Sequence, residues 1–346
     1  MTNLLTLFIS TKIEAFFIPL AQHKPDFCRK IDDFHTVPST HIQIKLLLFL
    51  YQPRCQTQGN FLYLFRCFFH IMLYNRLNGK RRLFMEIIDI HTHIYPDKIA
   101  RKAADSVRDF YELEGSIRMD GTVEMLLDEG EKAGISTFVV LPVSNTPNRV
   151  RSINTFLLEQ TKLHDNFIGF GTIHAEMEGL CDEVDWIMDQ GLRGITIHPD
   201  SQRFNNDDER LFPVYDMLQD KIPDMLHMGD WRYNYSHPLR LRRILSMFPH
   251  LQVIAAHFGG YSMYHTAQEL LWDTDCVFDI SSSLMFLEKG EAERYIRNYG
   301  AERCAYGTDY PLWDPVTEVN RFKQLNLTDN QFEQIAHKTA ERILQL

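Results

Sequence analysis

From Glu86 onward, short apolar runs rich in β-branched residues alternate with longer amphipathic segments. That alternation predicts repeated strand–helix units and a parallel sheet. The expected strands are 86–94, 136–143, 167–173, 192–198, 223–228, 251–257, 276–282 and 303–309. Helices are expected at 97–113, 121–134, 146–164, 177–190, 207–220, 237–247, 264–272 and 289–299, and Thr328 and Gln331 have capping-box spacing before a last helix. Eight strand–helix units in about 260 residues match an α/β fold of the (β/α)8 TIM-barrel type. A doubly wound open sheet is the alternative, disfavoured because no glycine-rich phosphate loop follows the first strand.

The first 84 residues do not share this pattern. Their apolar runs, 45–51 and 61–74, are too short to span a bilayer, and Arg66 and His70 interrupt the second. Gly79-Lys-Arg-Arg82, just before Met85, can be encoded by purine-rich codons and so reads as a translated ribosome-binding site. The expectation is therefore that Met85 is the natural initiator, that residues 1–84 are a non-native or disordered extension, and that 85–346 is the catalytic domain.

Charge supports the division. Residues 1–84 carry 11 basic and 4 acidic side chains, and the rest of the chain 25 basic and 42 acidic. An acidic body without a basic stripe argues against nucleic acid as a partner. The six cysteines, Cys28, Cys55, Cys67, Cys181, Cys276 and Cys304, show no paired spacing, which points to a reducing, cytoplasmic setting. The N-terminus lacks the basic start and cleavage site of a secretory signal. A small-molecule substrate is expected, with no membrane partner.

Several His and Asp residues fall at the C-terminal ends of the expected strands, where barrel enzymes place their active sites. His91 and His93 end the first strand, His198 the fourth and His257 the sixth; His227 lies in the fifth, and Asp309 ends the eighth. Side chains two apart on a strand share a face, so His91 and His93 can converge on one ion. A lone His-X-His is weak; the histidines and Asp309 on other strand ends make the combination specific. Three imidazoles and one carboxylate suit Zn²⁺ first, with Mn²⁺ and Fe²⁺ compatible.

The motifs Asp89-Ile-His-Thr-His93, Gly191-Leu-Arg-Gly-Ile-Thr-Ile-His-Pro199, Leu226-His-Met-Gly229, Phe248 to Gly260 (FPHLQVIAAHFGG) and Tyr306-Gly-Thr-Asp-Tyr-Pro311 follow one another in order. Together they resemble the amidohydrolase superfamily, in particular the amidohydrolase-related branch that includes aminocarboxymuconate-semialdehyde decarboxylase. The resemblance spans nearly all of residues 86–346. It implies the metal-dependent hydrolase form of the barrel and a mononuclear site in which His91, His93, His227 and Asp309 ligate the metal. His257 then approaches the metal-bound water as the proton-handling residue, a role Asp309 can share. Where many relatives carry a bridging Lys or Glu on the fourth strand, this chain has Thr196, which argues against a second tightly held metal. Lys338-Thr339-Ala340 replaces the usual Gly-Asn-Ala of the last helix, which puts a packing contact there in question.

Further residues are candidates for contact with substrate. His198 shares the direction of Thr196, with a structural role equally open. Arg203 and Arg232 could each grip a carboxylate bidentately. Trp231 and Tyr233, in the loop after strand 5, and Trp313 could wall the pocket, as could Tyr261; packing is the alternative for each. Asp89 is expected to share a face with His91 and His93 and to orient a ligand, or to be structural. His174, Asp279 and Ser281 are supporting or packing candidates, and His237 is expected to shape the start of a helix.

Hydrolysis of a C–N or C–O bond in a small organic substrate is the leading expectation for function. Nonoxidative decarboxylation or hydration of an unsaturated or aromatic carboxylic acid is the close alternative. A noncatalytic metal-binding protein is a third, disfavoured by the intact ligand set. A homo-oligomer is expected by analogy with other barrels.

Overall fold

The computed structural model describes residues 86–113 and 119–346. The expected extension over residues 1–84, its apolar runs and the start at Met85 lie outside the described residues.

Among the described residues, nine short parallel strands follow one another: β1 (Ile88–Thr92), β2 (Thr137–Val140), β3 (Phe167–Gly169), β4 (Gly171–Thr172), β5 (Ile195–Ile197), β6 (Asp224–Leu226), β7 (Val253–Ala255), β8 (Val277–Asp279) and β9 (Cys304–Ala305). Each pairs with its sequence neighbour, except that β3 and β4 are halves of one stave. The stave breaks at Phe170, whose N–H donates to Val140 O (3.1 Å), while that of Gly171 donates to Gly194 O (2.9 Å). Eight staves therefore match the eight expected strands. The ring closes where Ile90 N–H donates to Tyr306 O (2.9 Å) and Asp309 N–H to His91 O (2.8 Å). The chain folds as a (β/α)8 barrel.

Two-residue periodicity separates two cores. Val139, Met225, Ile254, Val277 and Ala305 point inward with Ile88 and Ile90. Their neighbours Phe138, Val140, Leu226, Val253 and Phe278 face the helical layer. The C-terminal helix Thr339–Leu344 adds Ala340, Ile343 and Leu344 to the interior cluster. Buried Thr339 donates to Glu302 O (3.2 Å), so the Lys-Thr-Ala sequence makes its own contact in the last helix.

The helices form close to their expected spans, and Thr328 and Gln331 make the expected capping box. His237 caps the helix Pro238–Met247, its Nδ1 accepting from Leu239 N–H (3.1 Å), as its position before Pro238 suggests. Besides the one-turn helix Pro199–Gln202, the expected spans omit the helix Pro315–Lys323. Its start signal was present, since Asp314 accepts from Val316 N–H (2.9 Å) and Pro315 occupies the first turn.

Strand β1 departs from simple alternation. Its register against β2 slips between Asp89 and Thr92. Because of this irregularity, Ile88 and Ile90 face the interior cluster and yet His91 also turns to the site. Asp89 thus does not share the histidines' face. Its carboxylate accepts from the backbone N–H groups of His91 (3.1 Å) and Thr308 (2.9 Å) and from the Thr308 hydroxyl (2.6 Å). It ties the first stave to the last.

Asp224 opens β6 on the outer face of the barrel, fully buried, and neither carboxylate oxygen has a partner among the described residues. Burial pushes its carboxyl well above the ordinary value. A raised folded-state pKa favours the protonated form, so the fold is most secure below the unfolded pKa and loses stability as pH rises towards the folded one. Asp224→Asn is therefore expected to gain about 2 kcal/mol at pH 8 and little near pH 4. Urea unfolding at both pH values checks this, and a gain independent of pH contradicts it.

Candidate metal centre

The expected site residues gather at the C-terminal ends of the staves. His91 lies on β1 and His93 one residue beyond it; His227 follows β6, His257 lies just after β7, and Asp309 lies beyond β9. His257 (φ 59°), Ser282 (φ 47°) and Asp309 (φ 62°) all adopt left-handed backbone, unfavourable for residues with a Cβ. Such strain persists only where the surroundings enforce it, and here it lies next to the converging side chains.

His91, His93 and Asp309 form one tight group. The two Nε2 atoms are 3.2 Å apart, and Asp309 Oδ1 lies 3.5 Å from the first and 3.4 Å from the second. The remote nitrogens are both engaged. His91 Nδ1 lies 2.8 Å from Asp279 Oδ2, and His93 Nδ1 lies 2.7 Å from the carbonyl oxygen of Leu141. Acceptors at both Nδ1 atoms place the ring protons there and turn two Nε2 lone pairs towards each other and a carboxylate. Such a donor set repels itself until a cation lies between its members, so the residues fit a divalent ion.

Electrostatics agree with the geometry. Burial disfavours a charged His91, yet Asp279 and Asp309 outweigh it and push that imidazole up to about 9. Burial also works against an ionised Asp309, but the neighbouring imidazoles, His91 foremost and then His93 and His257, hold its carboxyl well below the usual range. Anions that favour an imidazolium also favour a bound cation.

Asp279 and Ser281, whose roles were open in the sequence, support the centre. Asp279 accepts from the Ser281 hydroxyl and from the backbone N–H groups of Ser281 (2.8 Å) and His257 (3.2 Å) while holding His91. Asp279→Asn should leave the fold intact and weaken metal binding about 10- to 100-fold, the usual cost of removing a carboxylate behind a ligating His. Competition with a chelator measures this, and unchanged affinity contradicts the assignment.

His227 stands in a neighbouring group with His198 and Asp200. Its Nδ1 lies 3.0 Å from His257 Nε2 and its Nε2 3.6 Å from Asp200 Oδ2, and its ring stacks on His198 with centroids 3.9 Å apart. Burial, then the neighbouring imidazoles, press His227 well below the ordinary histidine value. His198 is lowered to about 3 by burial first and then by His93 and His257. Both rings are neutral.

The expected substrate contacts divide. Trp313 donates to the Ser282 hydroxyl (2.8 Å), which in turn donates to Asp309. Tyr233 is partly exposed and stacks on Phe110, whereas Trp231 is 72% exposed. Arg203 is exposed at the end of the one-turn helix Pro199–Gln202. Arg232 is not a free carboxylate clamp, because buried Asp230 already holds Nε (3.0 Å) and a terminal nitrogen (2.7 Å). His174 is buried against Phe204 and accepts from Glu176 N–H (3.2 Å), a structural arrangement.

Residues 88–346 match the family described as Amidohydrolase. The chain belongs to the amidohydrolase family. Solved structures with the same fold include an uncharacterized TIM-barrel protein from Bordetella bronchiseptica, 20% identical, with a TM-score of 0.61 over 75% of this chain and 98% of that one. The 5-carboxyvanillate decarboxylase of Sphingomonas paucimobilis is 15% identical, with a TM-score of 0.61 over 76% and 99%. A dihydroxybenzoic acid decarboxylase of Polaromonas sp. JS666, solved with manganese and 2-nitroresorcinol, is 17% identical, with a TM-score of 0.58 over 75% and 97%. No curated protein matches the chain in sequence.

In this amidohydrolase, two site features carried no sequence signal. Tyr111, at the end of a helix after β1, places its hydroxyl 2.8 Å from His198 Nε2. Asp200, in the turn after His198, accepts from the Ser236 hydroxyl (2.5 Å) and faces His227. Both belong to elements whose sequences read as ordinary helix or turn.

Proposed function

We propose that this amidohydrolase is a metal-dependent decarboxylase of an aromatic carboxylic acid. The observation that carries the reading is an unbroken run of aromatic rings beside the centre. Tyr111 meets Tyr261 at 5.2 Å between centroids, Tyr261 meets Phe286 at 5.9 Å, and Phe286 meets Trp313 at 5.8 Å. Tyr261 also lies against both His227 (6.3 Å) and His257 (5.8 Å). Such walls suit a flat ring lying next to the histidines. The decarboxylases that share the fold act on ring carboxylates by their names, which supports the same class here.

His91, His93 and Asp309 would hold the ion, with His227 as the fourth candidate. A bound divalent ion would supply Lewis-acid charge to the oxygens of an anionic substrate. The chain's own part is to exclude water with the aromatic wall and to handle the proton. As the bond between ring and carboxylate breaks and CO₂ leaves, the electron pair on the ring carbon takes a proton that His257, neutral at rest, would first accept from solvent and then deliver. Hydrolysis of a C–N or C–O bond, first from sequence alone, draws on the same centre but has less support from the named neighbours. Manganese in those neighbours sets Mn²⁺ beside Zn²⁺ as the resident metal.

The test loads purified protein separately with Mn²⁺ and Zn²⁺. Hydroxylated benzoates are followed by CO₂ release, and amides and lactones by acid release. CO₂ release that stops on metal removal is the expected result. Acid release from amides or lactones, with no CO₂ from any aromatic acid, would overturn the reading in favour of hydrolysis.

A further inference from the structure

Helix Asp97–Phe110 ends beside the candidate centre, and its end is fastened from across the barrel. Arg232, from the loop after β6, donates to the Phe110 carbonyl (2.6 Å) and reaches Glu112 (3.4 Å). That carbonyl is among those a helix C-terminus leaves without intrahelical partners. Asp230, fully buried, grips the same guanidinium at Nε and a terminal nitrogen, so its direction is set by a fork that lysine cannot reproduce. Phe110, Tyr111 and Tyr233 also lie under the guanidinium, at 5.1, 5.7 and 5.3 Å. The guanidinium that the sequence offers as a substrate clamp instead acts on the chain.

What that fastening holds in place is the Tyr111 hydroxyl. His198 Nδ1 accepts from Ser201 N–H (3.3 Å), so the ring's donor is Nε2, which meets Tyr111 Oη at 2.8 Å. The phenol's own hydrogen is left to find another acceptor. The ring nitrogens of His227, at 3.4 and 3.5 Å, are at the long limit for a hydrogen bond. A carboxylate oxygen arriving next to the histidines is a far better acceptor.

We propose that Phe110–Glu112 is a strap latched by Asp230 and Arg232, and that it presents Tyr111 as a hydrogen-bond donor to the carboxylate of a bound aromatic acid. The second half rests on the decarboxylase reading, whereas the latch does not. Tyr111 is a specificity residue, and Arg232 is a positioning residue that acts through it.

The experiment uses the full chain loaded with Mn²⁺ and takes 2,6-dihydroxybenzoate as the probe. Tyr111→Phe should keep the metal and weaken binding of the probe about tenfold, the cost of a lost hydrogen bond to a charged group. Arg232→Lys should weaken it similarly, raise amide hydrogen exchange over 108–113, and add little when combined with Tyr111→Phe. Probe affinity unchanged in Tyr111→Phe, with binding intact in the wild type, overturns the donor role. Exchange over 108–113 unchanged in Arg232→Lys overturns the latch, whether or not the probe binds. Failure of the wild-type protein to bind any aromatic acid overturns the donor role together with the decarboxylase reading and leaves the latch to the exchange measurement.

Discussion

Asp309→Asn is expected to yield a folded protein that has lost its metal and essentially all turnover. The substitution keeps the shape of the side chain and removes only its charge. In the folded chain that charge faces two Nε2 atoms, at 3.5 and 3.4 Å, and the Ser282 hydroxyl donates to the other carboxylate oxygen. The neighbouring imidazoles hold the carboxyl well below its usual range, so it is ionised at neutral pH. An amide cannot supply this negative charge, and its NH₂ group would compete with a cation for the same space. A loss of at least about three orders of magnitude in metal affinity is expected, because a hard anionic oxygen is replaced by a neutral ligand at a divalent ion. Elemental analysis after dialysis and CO₂ release from the best substrate measure the two effects. Stoichiometric metal retained together with wild-type turnover would remove Asp309 from the centre.

The barrel was legible because its signal is repeated. Eight apolar, β-branched runs separated by amphipathic segments leave few folds that bury them all, and the chain built each stave within the span its composition marks. Exact ends were not legible. The regular strands cover two to five residues where the composition marks six to nine, and β3 and β4 part at Phe170, because staves at a barrel mouth leave the ladder to aim side chains into the site. His91, His93 and Asp309 were visible as chemistry-bearing residues at strand ends, and the structure brings them together. Asp89 misled, since the period-two rule fails across the slip in β1.

Partnerships that depend on tertiary contact were harder to see. Nothing in the spacing of Asp230 and Arg232 says that the carboxylate takes the guanidinium before a substrate can. Tyr111 reaches His198 across 87 residues of sequence, and only the closed barrel puts them side by side. Asp279 was a candidate without a role until its bond to His91 gave it one. Composition marked where chemistry could occur, and burial decided which groups were already committed. On the proposed decarboxylase reading, the commitment of Arg232 to Asp230 would leave recognition of a carboxylate to the metal, Tyr111 and the aromatic wall.

His257→Asn separates proton handling from metal binding. The ring is fully buried, its backbone N–H donates to Asp279 (3.2 Å), and its Nδ1 lies 3.0 Å from the Ser281 hydroxyl and 3.1 Å from the Ser281 carbonyl. Asparagine keeps an amide near that nitrogen and removes Nε2, the atom that points at His227 across 3.0 Å. Burial lowers the imidazole below its ordinary value of 6.5, against the opposing pull of Asp279 and Asp309, so it is neutral at pH 7 and able to take a proton. If it is the proton-handling group, turnover falls by about 10²- to 10⁴-fold, the usual contribution of a positioned acid or base, while metal content stays at the wild-type level. The sign of the pH dependence follows. A base with a lowered pKa is lost only on the acid side, so the wild-type rate should fall below pH 6.5 and that limb should vanish in the variant. Metal lost in parallel with activity would make His257 a ligand, and an unchanged acid limb would assign the proton to another group.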